Sequence, residues 1–520
     1  MKNTSLRTTA VLLCSFVFAT VTLAADRAPA QGLPAQSSSK VSKPNVVFIL
    51  TDDQRFDSMG LTGNTVTETP HLDQLAQEGV FFSQAFVTSP ICGPSRANIF
   101  TSQWERKNRI GFTSVSNNYV SQEAFENSFL MQMKQAGYST AFIGKHHTKI
   151  VDRSNKPLKK AIDFCYYGEG HLGFHPAKKR KIFSNLKHES QTEALFEAFQ
   201  AYLNSDNDYA YFYENADASI KEQLQPRDAD KPFCAWINLN LPHQSSLGGM
   251  GSKPGDPEFY STRYKQNQFQ VPEGYPNNLT LPANVITREE QPGYYKFNEN
   301  SLRGSLLKTA RAVYGIDQMV GNLRAMLEEM HLAENTIIVV FSDNGLLYGE
   351  HGLGGKTMLY EESVHVPLIV YSPFLPEGKR GQQRTDLVVG QDIPATLLDM
   401  VGIDVPNTYQ GVSMVPLIEG QEVDWRQDVF LENLFTDQGY ARQDSVRSER
   451  YKYIRYYSKE ADRKQYLPDG IAGEAPIYEE LFDLESDPKE LRNLASNPEF
   501  ASILQAQRAR CDELVTELKR

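Results

Sequence analysis

An acidic pair, an acid-amide pair and six cationic or nucleophilic positions stand out from the chain by type and placement. Asp52 and Asp53 follow directly on the apolar run Val46-Val47-Phe48-Ile49-Leu50, and Asp343 and Asn344 follow closely on another from Thr336 to Phe341. Runs of this length, rich in β-branched residues, are strands buried on both faces. Each pair therefore sits at the C-terminal end of a core strand, where open α/β sheets bind their ligands. Three carboxylates and an amide in such places are costly unless positive charge lies among them. A hard cation with oxygen ligands, calcium or magnesium, meets that need. Taken one at a time, each pair could equally cap a helix.

The cationic positions have the same placement. Lys145 and His147 lie in Gly144-Lys145-His146-His147, after a short strand from Ser139 to Ile143; His243 follows Pro242, after a strand from Phe233 to Leu239. Lys356 closes the run His351-Gly352-Leu353-Gly354-Gly355-Lys356, and Arg96 ends Cys92-Gly93-Pro94-Ser95-Arg96. Singly, any of these could be a solvated group or a satisfied core histidine, and Cys92 a small buried residue in a Gly-Pro turn. Together they would hold an anionic ester and answer the charge that builds on its leaving oxygen.

Cys92 to Arg96, with Thr101 and Ser102 following, resembles the C-x-P-S-R signature of the formylglycine-dependent (type I) sulfatases of the alkaline-phosphatase-like superfamily. Gly144-Lys145-His146-His147 is similar to that family's G-K-x-H element, and the Asp52, His243, Asp343 and Lys356 segments fall in the family's order. The resemblance runs from about Asn45 to Leu494. It implies that a formylglycine-generating or anaerobic sulfatase-maturing enzyme converts Cys92 to 3-oxoalanine. It also implies a calcium ion held by Asp52, Asp53, Asp343, Asn344 and an oxygen of the modified Cys92. Cys92, Arg96, Lys145, His147, His243 and Lys356 become the catalytic set: Arg96 and Lys145 steady the sulfuryl oxygens, His243 and Lys356 donate to the departing alcohol, His147 serves as base or orienting group, and Asp343 or Asp53 accepts the nucleophile's proton.

The activity so implied is a sulfuric ester hydrolase that releases inorganic sulfate from a sulfated carbohydrate. An N-sulfoglucosamine or an aryl or alkyl sulfate is the alternative substrate, and a phosphodiester or phosphonate monoester hydrolase the alternative activity on the same scaffold. A catalytically silent carbohydrate-binding relative would lack a member of the set, and none is missing. His146, where the family often has an aromatic, and His365, where it often has arginine, depart from the common pattern.

To position these residues the chain needs an α/β fold with a large, mostly parallel central sheet flanked by helices. The helical spacing from His71 to Gly79, from Ser128 to Gly137 and around Leu302 to Met330, alternating with the apolar runs, predicts this architecture. A further strand is expected from Val366 to Tyr371. The polar, aromatic stretches from about Lys149 to Lys231 and from Gln244 to Glu299 read as insertions shaping a cleft. There Tyr166, Tyr167 and the run Lys178-Lys179-Arg180-Lys181 could meet a sulfated sugar chain, although a charge run also suits a solvated face. From Glu422 the alternation changes to that of antiparallel strands, with a closing helix from about Pro498. This predicts a catalytic domain over 45–421 and a small α+β subdomain over 422–520. Tyr360-Glu361-Glu362-Ser363 and Leu481-Phe482-Asp483-Leu484 read as structural motifs.

Composition sets the outer bounds. With 64 acidic against 53 basic side chains in 520 residues the net charge is -11, which argues against a nucleic-acid partner. Lys2, Arg7 and the apolar stretch Ala10 to Leu23 read as a signal peptide over 1–25, followed by an Ala/Pro/Ser/Gln linker over 26–44. Export to the periplasm or beyond, with no stable membrane span, is the expectation, and Cys14 lacks the setting of a lipid-modified cysteine. After processing, Cys92, Cys165, Cys234 and Cys511 are too few for a disulfide framework.

Overall fold

The computed structural model describes residues 43–519 apart from 112–118, 152–154, 204–207, 274, 276–280, 283–284, 286–297, 377, 435–440 and 458–474. The expected signal peptide, Cys14 within it and nearly all of the linker lie outside the described residues.

The core is an eight-stranded sheet. Its strands are β1 (Asn45–Asp52), β2 (Val80–Phe82), β3 (Ser139–His146), β4 (Phe164–Glu169), β5 (Phe233–Pro242), β6 (Thr336–Ser342), β7 (Leu368–Tyr371) and β8 (Gln382–Arg384). They lie in the order β8-β2-β7-β6-β1-β5-β3-β4. Only β7 runs against the others, pairing antiparallel with both β2 and β6. β1 lies mid-sheet, parallel to β6 on one edge and β5 on the other. The two-residue alternation of a strand sends Val46, Phe48 and Leu50 into one apolar cluster and Val47 and Ile49 into the cluster on the opposite face. Trp236 of β5 stacks on Phe48, ring centroids 5.5 Å apart.

Helices cover both faces. They include α1 (Pro70–Glu78), α2 (Cys92–Thr101), α3 (Phe129–Gln135), α4 (Gln191–Leu203) and the long α5 (Glu299–Glu329). In α5, Ala312, Ile316, Met319, Val320, Leu323 and Leu327 recur at three- and four-residue steps and fill the second cluster.

The stretch from Lys149 to Lys231 is not all insertion. Its Phe164–Glu169 is a strand paired in parallel with β3, and α4 buries Leu195, Ala198, Phe199 and Tyr202 against the sheet. The short, aromatic β4 lacks the β-branched signature of the other core strands, and this is why the sequence hides it. Tyr166 is accordingly a core residue, its hydroxyl bonded to Ile182 O at 3.0 Å and Asn185 Oδ1 at 2.7 Å, and Tyr167 is buried against Phe142 and His146. Neither ring is free to stack on a sugar. Lys178 to Lys181 are exposed.

A four-stranded antiparallel meander follows: β9 (Asp428–Asn433), β10 (Arg442–Ser448), β11 (Tyr451–Tyr457) and β12 (Tyr478–Asp483), then helix α6 (Ala501–Glu517). Its inner residues Phe430, Val446, Tyr453 and Leu481 join the apolar cluster that holds Val46 and Phe48. Trp104 Nε1 donates to Phe430 O at 3.0 Å, and Tyr360 Oη donates to Glu480 Oε2 at 3.0 Å. Leu481-Phe482-Asp483 lies within β12, and the Tyr360 segment abuts it, as the structural reading of both motifs requires. Among the described residues no helix is long and apolar enough to cross a membrane.

Candidate active site

Because β6, β1, β5 and β3 are adjacent and parallel, their C-terminal ends share one edge of the sheet. Asp343 follows β6, Asp52 ends β1, His243 follows β5 and Lys145 lies in the last turn of β3. Strand order thus gathers four positions spread over three hundred residues of chain. Two local devices refine the gathering. The pairing of β1 with β5 shifts register between Leu50 and Asp52, an irregularity of the kind that re-aims side chains beside active sites. Asp53 then takes φ 66°, a left-handed conformation that costs a non-glycine residue free energy and breaks the strand there.

Glycine has two defined tasks here. At Gly144 (φ 103°) a Cβ would stand 2.0 Å from Asn238 O, so only glycine lets β3 close on β5 and bring Lys145 to Asp52. At Gly345 a Cβ would stand 2.1 Å from Glu362 O, so the turn after Asn344 packs directly on the Tyr360-to-Ser363 segment.

Cys92 is the first residue of α2 and is buried at the meeting point of these groups. Its Sγ lies 3.1 Å from Asp52 Oδ1, and Lys356 Nζ approaches Sγ to 2.7 Å while bonding Asp53 Oδ1 at 2.5 Å. Lys145 pairs with Asp52, and the imidazoles of His147 and His171 favour the ionised form of the Cys92 side chain. One turn along α2, each of the three Arg96 side-chain nitrogens has a partner. Its Nε bonds Asp343 Oδ2 at 2.7 Å, Nη1 bonds Asn238 Oδ1 at 3.0 Å and Nη2 bonds Leu239 O at 3.2 Å. Asn344 Nδ2 donates to Asp53 Oδ1 at 2.6 Å, and His243 Nε2 lies 3.7 Å from Asp53 Oδ2. The residues of the predicted set therefore gather in one cluster, buried except for the half-buried His147.

The acidic members are held at a cost. Burial, reinforced by the charge of Asp52, pushes the Asp343 carboxyl well above its ordinary range, and burial also raises Asp53. For Asp52 burial and Cys92 push up, but Lys145, His243 and Lys356 outweigh them and hold it low. Burial opposes ionisation of Cys92 as well, yet Lys145, Lys356 and the two histidines bring the thiol well below its usual value. Asp53 Oδ2 and Asn344 Oδ1 are buried with no hydrogen-bond partner. Asp52, Asp53, Cys92 and His243 also present ligand atoms within 4.8 Å of one another. Buried oxygens of this kind, unpaired and acidic, fit a hard divalent cation.

Four residues escaped sequence reasoning. Asn238 and Asn240, two apart in the otherwise apolar Phe233–Pro242, bond Arg96 and Asp52 respectively. Their spacing in such a strand was the available signal. His171 follows the C-terminal end of β4 and would have been flagged by the strand-end rule had β4 been read as a core strand. Ser245 bonds His243. The two departures from the family pattern are packing residues. His146 rests edge-on against Phe142 and Tyr167, and His365 stacks between Phe56 and Phe86. The four described cysteines are free and buried.

This fold is that of the sulfatases of the alkaline-phosphatase-like superfamily. The family model described as Sulfatase matches residues 44–403, and one described as N-sulphoglucosamine sulphohydrolase, C-terminal, matches residues 349–517. The chain belongs to the sulfatase family and is a sulfuric ester hydrolase. It is 29% identical to an arylsulfatase of Clostridium perfringens, covering 88% of this chain and 91% of that protein. It is 24% identical to an N-acetylglucosamine-6-O-sulfatase of Bacteroides thetaiotaomicron, covering 89% of this chain and 84% of that protein. Among solved structures, a phosphonate monoester hydrolase of Agrobacterium radiobacter superposes with a TM-score of 0.67 at 20% identity, covering 92% and 96% of the two chains.

Proposed function

We propose that this enzyme hydrolyses sulfate esters of a sulfated glycan through a formylglycine made from Cys92, with a calcium ion beside it. The observation that carries the reading is the convergence of Lys356, Lys145, His147 and Asp52 on the Cys92 sulfur at the C-terminal edge of the sheet. The hydrated aldehyde would supply a hydroxyl to attack sulfur and a second whose collapse releases sulfate. The cation, held by Asp52, Asp53, Asp343, Asn344 and position 92, would supply fixed positive charge at the nucleophile.

This chain's own side chains do the rest. Arg96, with each side-chain nitrogen already bonded, acts by fixing Asp343 and by adding positive charge behind the sulfuryl group. Lys145 holds the sulfuryl oxygens and Lys356 serves beside His243 as a donor to the departing alcohol, in a buried pocket where such contacts are strongest. His243 presents its Nε2 to the departing alcohol, and His147 orients the nucleophile. Export through residues 1–25, maturation by a formylglycine-generating or anaerobic sulfatase-maturing enzyme, and division into 45–421 and 422–520 belong to the same reading.

The glycan assignment is supported by the name of the Bacteroides relative and by the N-sulphoglucosamine sulphohydrolase model over the C-terminal third. The fold does not choose between sulfate and phosphonate esters, since the Agrobacterium enzyme shares it. The test is a panel of sulfated oligosaccharides, aryl sulfates and phosphonate monoesters offered to the matured protein, with and without a chelator, together with the mass of the Cys92 peptide. Release of sulfate from a sugar, lost on chelation and regained with calcium, is expected. An unmodified Cys92 peptide in fully active protein, or a preference for the phosphonate, would sink the proposal.

A further inference from the structure

Beyond β3 the sheet has one more strand, the edge strand β4, and cations crowd its C-terminal end. Over 156–187 the chain carries eight lysines and arginines against two acids, in a molecule of net charge -11. All eight are exposed. Asp163, one of the two acids, is paired with Lys134 from outside the stretch. Arg180 Nη2 donates to the backbone oxygen of Glu169, the last residue of β4, and Lys159 Nζ lies 5.4 Å from the ring centre of Tyr167 in the same strand. The stem of Lys179 lies along the turn that follows, where a Cβ added at Gly173 would stand 3.1 Å from its Cδ and Cε. That turn is also a wall of the Cys92 pocket. Gly170 N donates to His146 O at 2.8 Å, and the centre of the His171 ring stands 4.2 Å from that of His243 and 5.7 Å from that of His147. Pocket and cations are therefore two sides of one turn, 169–173.

The basic shelf continues along the outer side of β4. Tyr166 Oη donates to Ile182 O at 3.0 Å, and Asn185 Nδ2 donates to Phe212 O at 2.9 Å in the short helix Asp208–Asn215. On that helix Tyr211 is 41% exposed, with Lys187 Nζ 4.7 Å from its ring centre. Two nearby acids are matched within the protein, Glu189 by Lys253 at 2.5 Å and Asp217 by Lys181 at 3.7 Å. An exposed cation is screened beyond about 8 Å at physiological salt, so the shelf adds little to a single sulfate seated in the pocket. It adds far more to another anionic group of the same molecule lying on it, and the Tyr211 ring offers a face to a sugar beside that group. We propose that the shelf binds a second anionic group of the substrate, which makes the preferred substrate a sugar chain carrying further sulfates or carboxylates beyond the ester that is cleaved. This rests on the sulfatase reading above and narrows it.

The test offers the full-length matured enzyme two substrates, a multiply sulfated oligosaccharide and 4-nitrophenyl sulfate. Lys178→Glu/Lys179→Glu reverses two exposed charges and leaves in place Arg180 and Lys181, which have partners within the protein. The double variant should raise KM for the oligosaccharide by about tenfold or more with kcat within about twofold, and should leave both constants for 4-nitrophenyl sulfate within about twofold. Raising the salt from about 0.05 to about 0.5 M should raise the wild-type KM for the oligosaccharide several-fold and move that of the double variant far less. Protein with Cys92 unmodified should be retained by immobilised dextran sulfate, and the double variant should elute at lower salt. An oligosaccharide KM unmoved by the double variant, or KM values raised equally for both substrates, would overturn the proposal, as would tighter retention by single-stranded DNA than by dextran sulfate. A matured wild type that releases no sulfate from either substrate refutes the reading above instead, and the column still decides whether the shelf binds sulfated chains.

Discussion

Buried charge gathers in two places in this molecule, and the two are built on different terms. Around Cys92, cations and acids converge on one small group and leave carboxylate and amide oxygens without partners. Where the antiparallel sheet meets the main body, buried charges pair with one another and, among the described residues, no reactive side chain lies at their centre. Lys452 lies between Glu361 at 3.0 Å and Glu490 at 2.9 Å, and Arg455 binds Asp444 at 2.5 Å. Arg106 binds Glu432 at 2.7 Å. His351, Glu362 and Glu490 there also present metal-type atoms close together, but an ammonium group already stands on Glu490. Density of charged residues therefore does not mark a site. What marks it is convergence of that charge on one reactive side chain.

The sharpest way to break this contrast is to remove the centre of the open cluster. Cys92→Ala should reduce sulfate release by about 10⁴-fold or more, to background, while shifting the melting temperature by no more than about 3 °C. Turnover near wild type would remove Cys92 from the chemistry. The closed cluster should respond the opposite way. Lys452→Met leaves Glu490 buried without its cation, while Glu361 keeps Arg447 at 3.3 Å, and should cost about 3–5 kcal/mol in denaturant unfolding, with kcat of the folded protein within about twofold of wild type. A kcat loss as large as that of a site variant would show that the two clusters are coupled.

The smallest effect concerns Glu480, which accepts from Tyr360 and Tyr456 and which burial raises to about 7. A carboxyl with a folded-state pKa above its unfolded value of 4.5 contributes stability fully present below pH 4.5 and lost as pH rises through about 7. Glu480→Gln, neutral throughout, should therefore be less sensitive than wild type over that window, by an amount on the order of 3 kcal/mol. Identical pH dependence of the two melting temperatures would show that Glu480 is ionised in the fold.

Much of this was legible in the sequence, for a physical reason. Strands buried on both faces must be unbroken apolar runs, so β1, β5 and β6 announce themselves, and the polar residues at their ends have one edge of the sheet to share. That placed Asp52, Asp53, His243, Asp343 and Asn344 before any coordinates. The hidden parts depend on context. β4 is aromatic rather than β-branched, so it passed for an insertion and took Tyr166, Tyr167 and His171 with it. No pattern in the chain reveals that each Arg96 side-chain nitrogen is already bonded, because its partners Asn238 and Leu239 lie over a hundred residues away.

The position of β1 also has a consequence for how the protein is made. The strand emerges early in synthesis, yet its partners on both edges, β5 and β6, are far downstream, the second ending only at Ser342. Until then one of the most apolar segments in the chain has an open flank available to any neighbouring chain. Holding that flank apart is a task for whatever accompanies the nascent polypeptide, and shortened products that stop before Ser342 should accumulate as aggregates rather than as soluble fragments.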